Sequence, residues 1–280
     1  MARCRLAVLY QALEPPVING LKKPKKPGDT EDGILEAVSA GATHIWANTI
    51  LFTTHPLQAS KDLGLFAGSV AIVGQPPHLV EAYDDKALVY EIMKSHGGFT
   101  IAKSTTLTVS DEPSNLMEER YLKYPVVAKP VRGRGSHGVK LCEDEETLRA
   151  HAKYLFDESP KIIVEEYLSG EEATVTIMPP SASKPGRYWA LPIITRFNHS
   201  DGIAPYNGSV AVTSNSRAVT AEEYSRDPAY KRVAKECEEI AGLLKATAPI
   251  RIDVRRFEEG SSFALFDVNM KPVSVADRVE

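Results

Sequence analysis

Apolar and polar positions along this chain follow two periods, and the switches between them mark out the elements. Leu6–Tyr10 is a short apolar run that reads as a buried strand. The stretch from Glu14 to Thr30 is rich in Pro, Gly and Lys and reads as a loop. Ile34, Leu35 and Val38 fall at helical spacing, and Gly41 ends that helix. His44–Leu51 predicts a second strand, His55–Gly64 a second helix and Val70–Val73 a third strand, which together make a small α/β unit. Asp84–His96 predicts a helix with an Asp N-cap and a Gly97-Gly98 stop.

Further along, Tyr124–Lys129 predicts a strand ending at Pro130, with Val139–Cys142 as its hairpin partner. Asp144 caps a helix reaching about Phe156. Lys161–Glu166 and Ala173–Met178 read as strands separated by Leu168-Ser169-Gly170. The last part has strands near Tyr188–Phe197, Ser209–Val212, Ile250–Phe257 and Phe263–Val268. A long helix from about Ala221 to Ala246 carries the stripe Tyr230, Val233, Cys237, Ile240 and Leu244. The expected division is an N-terminal α/β domain at 1–77, a small subdomain with a glycine-rich loop at 78–170 and a C-terminal subdomain at 171–280. The fold class is α/β (α+β), with a parallel sheet in the N-terminal part.

Composition narrows the function classes. The 280 residues are 43% hydrophobic and 25% charged, ordinary for a globular protein. A net charge of −4 and a pI near 6.0 argue against a dedicated nucleic-acid binder. No apolar run reaches the length of a membrane helix, so no membrane partner is expected. Arg3 and Arg5 precede an apolar run that Glu14, Pro15 and Pro16 cut short, which reads as a first strand and not a signal peptide. Cys4, Cys142 and Cys237 are odd in number and far apart; this fits buried thiols in a reducing, cytoplasmic compartment. The Lys22–Lys26 cluster reads as a solvated basic loop.

Three segments carry candidate chemistry. In Arg251-Ile-Asp253-Val-Arg-Arg-Phe and Phe263-Ala-Leu-Phe-Asp267-Val-Asn269, two apolar runs flank a turn centred on Gly260. Pairing symmetric about Gly260 sets Asp253 opposite Asp267 and Arg251 opposite Asn269, all on one face by the two-residue strand period. Facing carboxylates in an apolar sheet are costly unless a cation neutralises them, and hard oxygen donors suit Mg²⁺. The plain alternative is an exposed sheet face with a salt bridge. In the second segment a strand delivers Lys129, and Gly133-Arg134-Gly135-Ser136-His137-Gly138 follows. Glycines let backbone N–H groups converge on phosphate oxygens, and Ser136 adds a hydroxyl; a simple glycine-rich hairpin turn is the alternative. In the third, Ile162-Ile-Val-Glu165-Glu166-Tyr167-Leu168-Ser-Gly-Glu-Glu172, an edge strand leading into a turn can offer backbone groups to an adenine ring, and Glu172 can accept from ribose hydroxyls.

The order of these segments, with Asp85-Lys86 opening a helix ahead of them, resembles the ATP-grasp superfamily and its D-alanine–D-alanine ligase branch. The resemblance spans about residues 84 to 272. It rests on the Asp-Lys helix start, the Pro-Val-x-x-Lys-Pro strand, the Ser/Gly loop, the Glu-x-x-Leu-Ser-Gly-x-Glu turn, the Arg-Ile-Asp-Val strand and the acidic-x-Asn strand. It implies an ATP-grasp fold and an ATP-dependent carboxylate–amine ligase that joins amino acids through an acyl phosphate. Lys86 and Lys129 would meet the phosphates with Gly135, Ser136 and Gly138 of the loop. Glu165, Glu166, Tyr167 and Leu168 would line the adenine pocket, and Glu172 would take the ribose. Asp253, Asp267 and Asn269 would hold Mg²⁺, with Mn²⁺ an acceptable substitute, and Arg251 with Ser136 would stabilise the reacting groups. Small amino-acid or carboxylate substrates would be the partners, and a homodimer is compatible with the family.

Departures accompany the resemblance. Arg134 stands where the ligase pattern has its first glycine, and Gly135 where it has the first of two serines. The region 198–208 lacks the lysine expected in a substrate-covering loop, though Tyr206 remains. The chain ends eight residues after Pro272, where the ligases continue into an acceptor-binding segment. A degenerate ATP-binding protein without ligase turnover is therefore the second reading. A kinase transferring phosphate to a hydroxyl has no support beyond the shared nucleotide site.

Overall fold

The structure is a computed structural model that describes residues 6–10, 29–48, 51–112, 122–133, 136–199, 202–203 and 215–270. The Lys22–Lys26 cluster, Arg134, Gly135, Tyr206 and the strand expected at Ser209–Val212 lie outside them. The chain divides into two compact units, Met1–Ala82 with Ala246–Pro249 and Met270–Glu280, and Tyr83–Lys245 with Ile250–Asn269.

In the first unit, β1 (Leu6–Tyr10), β2 (His44–Asn48) and β3 (Ala71–Val73) form a parallel sheet in the order β1-β2-β3. Parallel neighbours need crossover helices, and α1 (Glu31–Ser39) supplies the first. Thr30 caps it, its hydroxyl accepting from the Gly33 N–H at 3.3 Å, and Ile34 packs with Ile45 and Leu63 in the core. The helix expected at His55–Gly64 is two single turns, α2 (Pro56–Ala59) and α3 (Lys61–Gly64). Ser60 is extended between them, and its hydroxyl restarts the helix by accepting from the Leu63 N–H at 3.1 Å. α4 (Pro77–Tyr83) follows.

The second unit holds two antiparallel sheets. α5 (Lys86–His96) starts at the Asp85 cap and ends at Gly97 and Gly98, both at positive φ. The smaller sheet contains β4 (Ser104–Thr108), β5 (Val126–Pro130), β6 (Lys140–Cys142) and β7 (Lys161–Glu166) in the order β4-β7-β5-β6. α6 (Glu145–Phe156) covers it, with Leu148, Ala152 and Leu155 buried against Val126, Ala128, Ile162 and Val164. The strand β7, expected at an edge, lies between β4 and β5. Its Ile162-Ile163-Val164 run is buried, the signature of a strand covered on both faces.

The larger sheet runs β11-β10-β8-β12-β13, with β9 paired to β8. Its strands are β8 (Glu172–Met178), β9 (Trp189–Ala190), β10 (Ile194–Arg196), β11 (Ser216–Ala218), β12 (Ile250–Arg256) and β13 (Phe263–Asn269). The run expected as one strand at Tyr188–Phe197 is thus two pieces, broken around Pro192, whose missing N–H cannot join a ladder. The long helix expected from Ala221 to Ala246 is likewise two, α7 (Ala221–Arg226) and α8 (Pro228–Leu243). Pro228 cannot continue a helix and forces the residue before it out of the α region. Asp227 is accordingly extended and caps α8, accepting from the Ala229 N–H at 2.8 Å.

Candidate functional site

The β12–β13 hairpin pairs Arg251 with Asn269, Ile252 with Val268 and Asp253 with Asp267, the register expected from a turn at Gly260. β8 extends these pairs into rows across the sheet: Thr176–Arg251–Asn269, then Thr174–Asp253–Asp267, then Glu172–Arg255. Ile250, Ile252 and Val254 are buried as core between these polar positions. Past Asp253 the register shifts so that Val254 pairs with Leu265, which leaves Phe266 as a β-bulge. A bulged residue leaves its ladder, and the freed Phe266 carbonyl accepts from Lys129 Nζ at 3.0 Å.

Asp253 is buried and fully engaged. Its Oδ1 accepts from the Thr174 hydroxyl at 2.8 Å, and its Oδ2 from Arg251 Nη2 at 3.1 Å and Asn269 Nδ2 at 3.2 Å. Burial pushes its pKa up, Asp267 adds to that, and Arg251 opposes it. At Asp267 burial also pushes upward, but Lys86, Lys129 and Arg251 together outweigh it and hold the carboxyl below its ordinary value. Asp267 Oδ1 is buried without a hydrogen bond, with Lys86 Nζ 3.4 Å away. The Asn269 amide differs from the expectation: its nitrogen, not its oxygen, faces the two carboxylates, because anions draw donors. A half-turn of that amide exchanges the two atoms.

Strand β5 and the start of α5 bring the cations. Lys129 Nζ donates to Glu165 Oε1 at 2.7 Å and lies 5.5 Å from the centre of the Phe266 ring. Burial raises the pKa of Glu165 against the pull of Lys129. Lys86 is tied to the segment after β5 twice, its backbone N–H donating to Val131 O at 2.9 Å and Nζ to Gly133 O, at the start of the glycine loop, at 3.1 Å. Ser136 and Gly138 both have positive φ. His151, on α6, donates from Nε2 to Gly138 O at 2.9 Å. His137 reaches Glu158 at 2.8 Å in an exposed pair.

The turn after β7 docks on the hairpin. Ser169 N–H donates to Phe257 O at 3.0 Å and Gly170 N–H to Arg256 O at 3.1 Å. A Cβ on Gly170 would stand 2.6 Å from Glu258 O, so only glycine permits this approach. Although β7 is internal, Glu166 is the last residue of its ladder, and Tyr167 and Leu168 continue beyond it. Glu172 is buried, with His199 Nε2 at 2.9 Å and Arg255 Nη1 at 3.8 Å from its Oε2.

These elements enclose a cleft with about 920 Å³ of open space, counting its mouth. Lys86, Lys129, Gly133, Ser136, Glu165, Glu166, Tyr167, Leu168, Glu172, Arg251, Asp253, Asp267 and Asn269 all line it. Gly138 does not; it packs against Leu155 and Pro130. Gly135 lies outside the described residues. Two participants went unassigned in the sequence. Arg255 stands two residues beyond Asp253 and so on the same face, and its guanidinium bonds Gly170 O, Gly202 O and the Tyr167 hydroxyl. No sequence signal links His199 to Glu172 across 27 residues. Among the described residues no group of three or more His, Cys, Asp or Glu is arranged to hold a metal, so the expected ligand set consists of two carboxylates and an amide. No helix among them is long and apolar enough to cross a membrane.

Two sheets closing on a cleft, with the polar hairpin on one side and the lysine strand and glycine loop on the other, define an ATP-grasp fold. A family model described as the D-ala D-ala ligase C-terminus matches residues 94–273, more than half of the chain, and the chain belongs to that family. Among curated proteins it is 29% identical over 189 residues to the D-alanine–D-alanine ligase of Aquifex aeolicus, covering 67% of this chain and 58% of that protein. The chain thus spans a little over half the length of that relative. Among solved structures, the Bacillus anthracis D-alanine–D-alanine ligase complexed with ATP matches with a TM-score of 0.62 at 18% identity, covering 97% of this chain and 87% of that one. The biotin carboxylase domain of Hydrogenobacter thermophilus 2-oxoglutarate carboxylase matches with a TM-score of 0.63 at 15% identity, over 92% of this chain and 54% of that one.

Proposed function

We propose that this chain is an ATP-dependent ligase that activates a carboxylate as an acyl phosphate and transfers the acyl group to an amine, with amino acids as substrates. The observation that carries the reading is the row Thr174–Asp253–Asp267, flanked by Arg251, Lys86 and Lys129 in one cleft. Asp267 Oδ1 is a buried carboxylate oxygen without a hydrogen bond, and with Asp253 and the Asn269 amide it makes a hard-oxygen donor set that fits Mg²⁺. Bound there, Mg²⁺ would neutralise charge on the nucleotide's phosphates.

The residues divide the work. Lys86 and Lys129 meet the phosphates and offset the charge that develops as the substrate carboxylate attacks the γ-phosphorus and ADP leaves. Backbone of the Glu165–Leu168 turn and the Phe266 ring hold the adenine, and Glu172 the ribose. Ser136 and the loop cover the phosphates and keep water from the acyl phosphate. Arg251 forks the oxyanion formed when the amine nitrogen attacks the acyl carbon; phosphate then departs and the amide remains.

One observation favours the second reading, a nucleotide binder without ligase turnover: Arg251, Lys86 and the Asn269 amide already compensate the two aspartates. A screen of amino-acid pairs with coupled detection of ADP decides between them. Release of ADP that depends on a particular pair supports the ligase; nucleotide binding with no amino-acid-dependent release supports the binder.

A further inference from the structure

Glu172 opens β8 within a cationic row. Arg196 faces it from β10 and Arg255 from β12. Beyond Arg196 the chain bends at Asn198, whose φ of 58° is a left-handed conformation that asparagine tolerates. That bend turns His199 back onto Glu172, and the two side chains are 19% and 7% exposed. An ionised carboxylate accepts only, so His199 Nε2 carries the proton in their 2.9 Å contact. Both His199 and Arg255 approach Oε2; Oε1 is the oxygen neither engages. Glu172 lines the cleft and His199 does not, so the histidine holds the carboxylate without itself forming the cleft wall.

We propose that His199 is a positioning residue that locks the Glu172 carboxylate with Oε1 turned to the cleft, making the site select a nucleotide bearing ribose hydroxyls over one lacking them. The inference rests on the nucleotide reading above. A glutamate side chain has three rotatable bonds and loses much of its directional value if it swings freely. Without the imidazole, the guanidinium of Arg255, 3.8 Å from Oε2, remains as a partner towards which the freed carboxylate can swing, and Oε1 is no longer held at a fixed point. With it, Oε2 is occupied and a charged acceptor is left at a fixed point, where a hydroxyl donor is rewarded and a sugar lacking one covers a carboxylate oxygen without pairing it.

The test is the affinity of the full chain for Mg-ATP and for Mg-2′,3′-dideoxy-ATP, measured by calorimetry on the parent, His199→Ala and His199→Gln. The parent is expected to prefer ATP by about tenfold or more, the worth of a hydrogen bond to a charged group. His199→Ala is expected to bring the ratio to within about threefold of unity, because the carboxylate is no longer held. The Gln amide reaches Oε2 with an N–H, so His199→Gln retains the parental ratio. A merely structural histidine would change both affinities together and leave the ratio alone. Should the alanine variant fail to fold, His199→Asn, polar but too short to reach Oε2, is read in its place. An undiminished preference in His199→Ala, or a parent that binds both nucleotides equally, overturns the inference while the nucleotide reading stands. A parent that binds neither overturns that reading and the inference with it.

Discussion

Asp253 on β12 stands directly opposite Asp267 on β13, and the two carboxyls are driven in opposite directions: burial raises the first, while Lys86, Lys129 and Arg251 depress the second. Pairs of acids pushed apart in this way are characteristic of working sites. The asymmetry also separates their contributions to the fold. The charged form of Asp253 is disfavoured by folding, whereas that of Asp267 is favoured.

Asp253→Asn and Asp267→Asn should therefore share one effect and differ in another. Both should lower Mg²⁺-dependent ADP release by about 10²-fold or more, since each removes a charged group from the reacting centre. In urea titrations of the nucleotide-free chain, Asp253→Asn should hold or raise the midpoint, because burial and Asp267 disfavour that charge more than Arg251 favours it, and the amide oxygen can still accept from Thr174 or Arg251. Asp267→Asn should lower it, because it strands cations that the carboxylate had paired. Parental turnover in either variant would remove the metal assignment.

Arg251→Lys probes the proposed acyl-transfer step. A lysine supplies charge but not a planar fork. Nucleotide affinity should stay within a few-fold of the parent, while amino-acid-dependent phosphate release should fall by about 10²–10³, the cost of losing one such donor. Affinity and turnover falling together would make Arg251 a structural partner of Asp253.

Two glycines test how the loop and the turn are seated. At Gly138 φ is 69°, and an added Cβ would lie 2.8 Å from Leu155 Cδ2. Gly138→Ala should cost about 1–3 kcal/mol by equilibrium unfolding, combining left-handed strain with overpacking. Gly170→Ala meets backbone at 2.6 Å, which cannot rotate away as a leucine methyl can. Its cost should be the larger of the two, and the reverse order would contradict the docking of this turn on the hairpin.

Much of this site was legible in the sequence because it is local. The hairpin register followed from Gly260 and the two-residue period, and the caps at Asp85 and Asp144 from their side chains. The Phe266 bulge was not legible, since an apolar residue between Leu265 and Asp267 fits an unbroken strand equally well. The break at Asp227-Pro228 was available in Pro228, since the apolar stripe that marks the long helix, Tyr230 to Leu244, lies wholly beyond it. Strand order is a tertiary property, so β7 read as an edge until its neighbours were known, although its unbroken apolar run pointed inward. His199 was invisible for the same reason: its partner is distant in the chain.

Stability should depend on pH through two histidines. Burial lowers His55 and His151 below the ordinary histidine value of 6.5. His55 Nδ1 caps α2 by accepting from the Leu57 N–H at 3.2 Å, a role open only to the unprotonated nitrogen. With both folded-state values depressed, the unfolded chain binds more protons between those values and about 6.5, so stability rises with pH across that window and is lost as pH falls through it. Melting temperature should drop between pH 7 and pH 5, and the slope should flatten in a His55→Asn, His151→Gln double variant, which keeps both hydrogen-bonding roles without titrating. An unchanged slope would assign the pH dependence to other groups.

The most direct test of the account is a calorimetric titration of the chain with ATP in millimolar Mg²⁺ and again in EDTA. One saturable site per chain in the presence of Mg²⁺, greatly weakened by EDTA and by Asp267→Asn, is the predicted result. Absence of binding in Mg²⁺, or the same affinity with and without the metal, would contradict the assignment of this cleft to a magnesium nucleotide.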